Sequence, residues 1–266
     1  MNVSVIIPAF NPDRKLLDKI VVTIESQKFN GKIEVIIVDR REAITKQMNW
    51  GIKRAKYPII VMIIQDCLPS SKYWLANLIK PFEDKEVVAT SSKVHLPEKL
   101  WEGFDTFAKA MTLKEKGVIT PLLDGKGSAY RKSVLKKIGF FDEKNFRTAG
   151  DDFDMYIKLK KLGKIEHPNC KVFHIHPISF KKRLMKTYQY SNGFGALIRI
   201  HKTKMPHWYV GLINATPLIG IFPQIINYPF KKGVWLFPYF IITSIISHPY
   251  YLYGFWKGFL TGKQTV

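Results

Sequence analysis

The chain has 266 residues, 46% of them hydrophobic, and 42 Lys/Arg against 21 Asp/Glu give it a formal net charge of +21. That length and apolar content exclude a disordered or low-complexity protein and allow one large domain with an appendage. Cys67 and Cys170 fit neither a disulfide framework nor a clustered metal motif, and no basic lead-in precedes Val3, so a secretory signal is not expected and the catalytic part is expected to face the cytoplasm.

Three apolar runs, Val3 to Pro8, Ile33 to Asp39 and Ile59 to Asp66, are continuous rather than alternating, the pattern of parallel strands buried on both faces. Between the first two, Asn11 can cap a helix with Pro12 at its first position, and Leu16, Leu17, Ile20, Val21 and Ile24 follow at helical spacing. Thr45 to Lys56 reads as a second helix. This alternation predicts an open α/β sheet, whose ligands bind beyond the carboxyl ends of its strands. Asp39 and Asp66 stand at two such ends. Asp39 can contact a ligand or pair with Arg40 and Arg41; Asp66 can hold a divalent cation between two phosphates or serve as a turn residue.

A further strand is predicted at Val87 to Ser92 and a helix over Ser133 to Ile138. Gly150-Asp151-Asp152-Phe153-Asp154 then concentrates three carboxylates, and sixteen Lys/Arg against the single Glu166 follow them. Met155 to Leu162 reads as a helix closed by Gly163. One aspartate suffices to cap it; three crowd negative charge and make one a candidate proton acceptor or cation contact. Lys171 to His176 reads as a strand ended by Pro177, with His174 and His176 on the same side, where they can supply a metal ligand, a phosphate contact or only structure.

From Trp208 to Trp256 the chain contains Lys231 and Lys232 as its only charged residues. Trp208 to Phe230 and Gly233 to Trp256 each exceed the roughly 20 residues that span a bilayer. A hydrophobic helical hairpin of two spans is therefore predicted for residues 205–266, with a hairpin lying in the membrane interface and a soluble apolar subdomain as the alternatives that Pro217, Pro223, Pro229, Pro238 and Pro249 leave open. The basic stretch Lys181, Lys182, Arg183 and Lys186 can meet anionic headgroups.

Together these residues resemble the family 2 glycosyltransferases, whose GT-A fold surrounds a nucleotide-sugar site. Val3 to Asn11 is similar to the opening strand and nucleotide loop, Ile36-Ile37-Val38-Asp39 to the second strand with its base-contacting aspartate, and Asn49-Trp50-Gly51 with Ala55 to the next helix. Gln65-Asp66-Cys67-Leu68-Pro69 occupies the place of the metal-binding DxD motif, with Ile64 where the first Asp usually lies. Gly127-Ser128-Ala129-Tyr130-Arg131 and Ile138-Gly139-Phe140-Phe141-Asp142-Glu143 resemble the segment on the sugar and acceptor side, which ends in a GGFDE-type turn. Gly150 to Asp154 is similar to the GEDxD signature, and His174 or His176 matches the late histidine of the metal site.

The resemblance implies a catalytic domain over residues 1–204 with a mostly parallel sheet. Asp152 would be the catalytic base with Asp151 in place of the usual Glu. Pro8, Ala9, Asn11, Asp39, Asn49 and Gln65 would hold the nucleotide sugar, Gly127, Ser128, Ala129 and Arg131 would line the acceptor side, and Asp66, His176 and His174 would bind Mg²⁺ or Mn²⁺. The expected reaction is inverting transfer of a hexosyl or deoxyhexosyl group to a saccharide or lipid-linked acceptor, such as a polyprenyl-phosphate, at the cytoplasmic membrane face during envelope glycan synthesis. No QxxRW motif follows the carboxylates, which disfavours a processive synthase. A nucleotidyltransferase and a non-enzymatic basic membrane or nucleic-acid-binding protein are the alternatives; the first lacks its Gly/Lys phosphate loop here, and no RNA-binding motif supports a nucleic-acid partner.

Overall fold

A computed structural model describes residues 1–119, 123, 125–176, 178–205 and 207–265. In chain order the elements are β1 (Val3–Ala9), α1 (Arg14–Glu25), β2 (Ile33–Asp39), α2 (Ile44–Arg54), β3 (Ile59–Ile63), β4 (Cys67–Pro69), α3 (Trp74–Ile79), β5 (Val87–Ser91) and β6 (Lys93–Leu96). Then follow α4 (Glu98–Glu102), α5 (Thr106–Thr112), β7 (Gly117–Ile119), β8 (Lys126–Arg131), α6 (Lys132–Lys137), α7 (Asp151–Leu159), β9 (Lys164–Glu166) and β10 (Lys171–His174). The chain closes with α8 (Phe180–His201), α9 (Trp208–Asn214), α10 (Phe222–Ile226) and α11 (Phe237–Thr261).

These elements fall into two compact units. One comprises Met1–Leu96, Val118–Glu143 and Asp151–His176; the other comprises Pro97–Gly117, Lys144–Gly150 and Pro177–Val266. The compact division thus differs from a single cut at residue 204, because α8 packs along α11 rather than with the sheet.

Among the described residues the first unit holds two sheets, ordered β2-β1-β3-β8-β5-β9 and β4-β10-β6-β7. In the larger sheet β1 runs parallel to β2 and β3, β8 is antiparallel to β3 and β5, and β9 is parallel to β5, so β8 alone opposes the rest. The continuous Val/Ile runs of β1 and β3 match burial on both faces, whereas β2, the edge strand, is only partly buried and exposes Ile37, contrary to the expectation for its run. Val3, Val5 and Ile7 of β1 pack with Leu17, Ile20 and Ile24 of α1 on one side. Ile6 meets Met48 and Ile52 of α2 on the other. Gly51 is required at that crossing, where a Cβ would stand 2.4 Å from the Ile6 side chain.

Two helix starts differ from expectation. Asn11 takes a left-handed φ of 46°, incompatible with an extended N-cap, and Asp13 caps α1 instead through a bond to Leu16 N at 3.2 Å. Helix α7 begins at Asp151 rather than Met155, so all three carboxylates lie in its first turn, where the helix dipole favours them. The β10 strand stops at His174, and Pro177 lies outside the described residues.

In the second unit the predicted pair of spans is corrected. Residues 208–230 do not form one helix but the short α9 and α10 separated by 3-10 turns, since Pro217 and Pro223 cannot continue a helix across the gap. Among the described residues no helix is long and apolar enough to cross a membrane. Helix α11 instead runs 25 residues against α8, and the contact is close because it is made by small residues. A Cβ on Gly195 would fall 2.1 Å from Phe255 O, and one on Gly258 1.9 Å from Asn192 O. The Asn192 side chain joins the helices by donating to Gly254 O at 3.0 Å. Gln264, just beyond α11, accepts from Arg147 N, Thr148 N and Ala149 N at 2.7, 2.6 and 3.1 Å, which satisfies three amides of an irregular segment.

Candidate active site

Parallel β1, β2 and β3 end on one edge of the larger sheet, and the register places Ala9 beside Asp39 there. Because β8 runs the other way, it is its first residue, Lys126, that stands at this edge, opposite Ile63. Side chains of the following turns tie the edge together. Gln65 bonds the backbone of Phe10 twice, accepting from its N–H at 2.5 Å and donating to its carbonyl at 3.0 Å. Gln47 accepts from Ala9 N at 3.0 Å and donates to the carbonyls of Arg40 and Glu42. The loop after β1 is therefore fixed on both sides, with Asn11 exposed in its left-handed turn.

Asp39 is paired, but not with its chain neighbours. Arg14 at the start of α1 bonds its carboxylate at 2.6 Å, while Arg40 pairs with Glu42. Arg14 gave no signal in the sequence because the partners come from different elements.

Asp66 follows β3 and leads into β4, and β10 pairs antiparallel with β4 so that His174 lies opposite Cys67. This pairing delivers the histidines. His174 Nε2 is 3.4 Å and His176 Nδ1 4.0 Å from Asp66 Oδ2, and the two rings lie 5.7 Å apart. Burial raises the Asp66 pKa, but the His174 hydrogen bond and the attraction of His174, His176 and Lys126 outweigh it, so the carboxyl sits below its ordinary 3.8. One ligand atom each from Asp66, Cys67 and His174 lies within 4.8 Å of the others. A carboxylate flanked by imidazoles is a donor set that suits a divalent cation. Ile64 is partly buried against the core and brings no second carboxylate.

Four other predicted contacts are buried or bonded within the protein. Asn49 is buried and faces inward: its amide donates to Phe141 O at 2.9 Å and Glu143 Oε2 at 3.0 Å and accepts from Phe141 N at 3.0 Å. It ties α2 to the turn after α6. Ser128 and Ala129 are wholly buried within β8. Arg131 stands opposite Ile59 at the far edge of the sheet and is held by the carbonyls of Val87, Phe82 and Asp84. Gly127 is near the proper edge, and its φ of +92° together with Trp74 Cζ2 only 3.2 Å from a would-be Cβ explains the glycine. Pro8 and Ala9 are buried.

In α7, Asp154 is buried and bonded to Lys158 at 2.6 Å, and Asp151 is buried. Asp152 is the least buried of the three, with Oδ1 accepting from Phe153 N at 2.9 Å.

A mostly parallel α/β sheet with an aspartate-histidine cluster beyond the carboxyl end of β3 defines a GT-A transferase domain. The glycosyltransferase-like family 2 model matches residues 1–167, and the chain belongs to that family. The fold agrees with solved structures of low identity. The mannosyltransferase PcManGT from Pyrobaculum calidifontis, in complex with GDP-Man and Mn²⁺, is 16% identical with a TM-score of 0.58, over 93% of this chain and 86% of that one. GalNAc-T7 with UDP, GalNAc and Mn²⁺ is 16% identical with a TM-score of 0.57, over 93% and 58%. Glucosyl-3-phosphoglycerate synthase from Mycobacterium tuberculosis, in complex with phosphoglyceric acid, is 16% identical with a TM-score of 0.51, over 72% and 78%. Among curated proteins no similar sequence is found.

Proposed function

We propose that this glycosyltransferase moves a hexosyl or deoxyhexosyl group from a nucleoside-diphosphate sugar to an acceptor hydroxyl with inversion. The observation that carries this reading is the Asp66, His174 and His176 cluster at the same sheet edge as the clamped β1 loop and Asp39. The loop backbone from Pro8 to Asn11, with Asp39 and Gln65, would seat the nucleotide. Asp66, His174 and His176 would hold Mg²⁺ or Mn²⁺, whose positive charge offsets that of a departing diphosphate. Asp152, with the buried Asp151 beside it, takes the proton from the acceptor hydroxyl. The acceptor oxygen bonds to the anomeric carbon as the bond from that carbon to the diphosphate oxygen breaks, and the nucleoside diphosphate leaves from the opposite face.

For the acceptor we favour a lipid-linked, phosphate-bearing molecule at the cytoplasmic membrane face. Residues 177–266 contain eleven Lys/Arg and no acid, which supports a partner of negative charge.

The test is thermal unfolding across nucleotide sugars with and without Mn²⁺. One donor should raise the melting temperature more with the ion than without it, and Asp66→Ala should remove the ion-dependent part. If no nucleotide sugar stabilises the protein under either condition, the donor reading fails.

A further inference from the structure

The second unit turns its more apolar surface outward. In α11 the buried positions are Thr243, Ser244, Ser247, His248, Gly254, Phe255 and Gly258, of which only Phe255 is a large apolar residue. The exposed ones include Ile242, Ile246, Tyr250, Tyr253 and Leu260, which recur every three, four or seven residues and so share one helical face. A helix of a water-soluble domain has the reverse polarity. The outward apolar character continues through the preceding turns, where Leu218 and Ile226 are each 77% exposed and Phe222 and Trp235 are 62% and 56% exposed. The packing against α8 is close, with Gly195, Gly254 and Gly258 in backbone contact and Asn192 bonded to Gly254, alongside the buried Phe255, which is compatible with the same environment.

We infer that this surface lies in the plane of an anionic lipid bilayer, with Leu218, Phe222, Ile226 and Trp235 entering the acyl boundary and the unit's lysines meeting the headgroups. Charge selects this occupant over another protein. The exposed Lys231 and Lys232 sit within the apolar stretch, and no acid occurs anywhere from residue 177 to 266. Exposed apolar side chains in a region rich in cations suit a surface with an apolar interior and a negative rim. A spanning arrangement is not needed, and no described helix provides one. The inference deepens the proposed lipid-linked acceptor by naming the surface that meets the membrane. Its test involves neither donor nor acceptor, so the two can fail separately.

The experiment is flotation of the purified full chain with phosphatidylcholine vesicles, with and without phosphatidylglycerol. The protein should float with the anionic vesicles and largely remain behind with the neutral ones. The triple variant Leu218→Ser, Phe222→Ser, Ile226→Ser should bind at least about tenfold more weakly, because three exposed side chains lose their transfer into lipid. Its melting temperature should match the parent, since none of the three is part of the core. Undiminished binding of the triple variant would overturn the inference, leaving charge as the only attraction. Absence of vesicle binding would also overturn it, and concentration-dependent dimers lost in the triple variant would then assign the face to a second copy of the chain.

Discussion

The least buried carboxylate at the start of α7 is Asp152, and Asp152→Asn isolates proton transfer from folding and binding. Turnover should fall about 100- to 10,000-fold, while the donor-induced rise in melting temperature persists. Asn49→Ala should act in the opposite manner. It leaves the buried N–H and C=O of Phe141 without their partner, so urea unfolding should show a loss of about 1–3 kcal/mol. Both residues fall inside motifs of the family, Asp152 expected as the base and Asn49 as a nucleotide-sugar contact. Burial and partner direction separate them. Glu34 contributes to the acid dependence: burial opposes its ionisation, but bonds from Lys56 N at 2.8 Å and Ser4 Oγ at 2.6 Å, with the Lys56 ammonium, hold its carboxyl below the ordinary 4.5. A lowered folded pKa gives stabilisation that is full above the unfolded value and disappears as pH falls through the folded one. Equilibrium unfolding of Glu34→Gln should therefore show a shallower decline in acid than the parent.

At the level of elements, close helix contact in the second unit depends on residues without side chains. Gly258→Ala puts a methyl 1.9 Å from Asn192 O, which is backbone and cannot turn aside, so chemical denaturation should show a cost of about 1–3 kcal/mol. Gly103→Ala provides the contrast. Its φ is −78°, and its new Cβ meets only Leu100 O, at 3.4 Å, so the variant should be neutral or more stable by about 0.5 kcal/mol. The runs of β1 and β3 were legible because burial on both faces demands continuous Val and Ile. Strands β4, β6 and β9 were not: they have three or four residues, too few for a period, and exist through pairing with distant partners. The long apolar stretch misled by length, since hydropathy does not record where Pro217 and Pro223 interrupt a helix or which face of α11 is covered.

For the whole molecule, a formal charge of +21 predicts a dependence on salt that distinguishes acceptors. Shortening the Debye length from about 30 Å to about 8 Å should weaken transfer to an acceptor embedded in anionic vesicles, and should leave transfer to a soluble, uncharged analogue nearly unchanged. Equal loss on both would argue against an electrostatic role for the basic C-terminal region. The sequence by itself determined the family, the α/β class, the strand-end positions of Asp39 and Asp66, and the concentration of cationic and apolar residues after residue 176. These follow from short motifs and periodicity, which are local properties. Tertiary structure alone decided that Arg14 pairs with Asp39, that it is β4 and β10 that bring His174 and His176 to Asp66, that Asn49 bonds Phe141 and Arg131 bonds Phe82, and that Gln264 caps residues 147–149. Each of those contacts joins residues separated by at least 25 positions, and side-chain partnership over such distances is set by how the strands and helices pack.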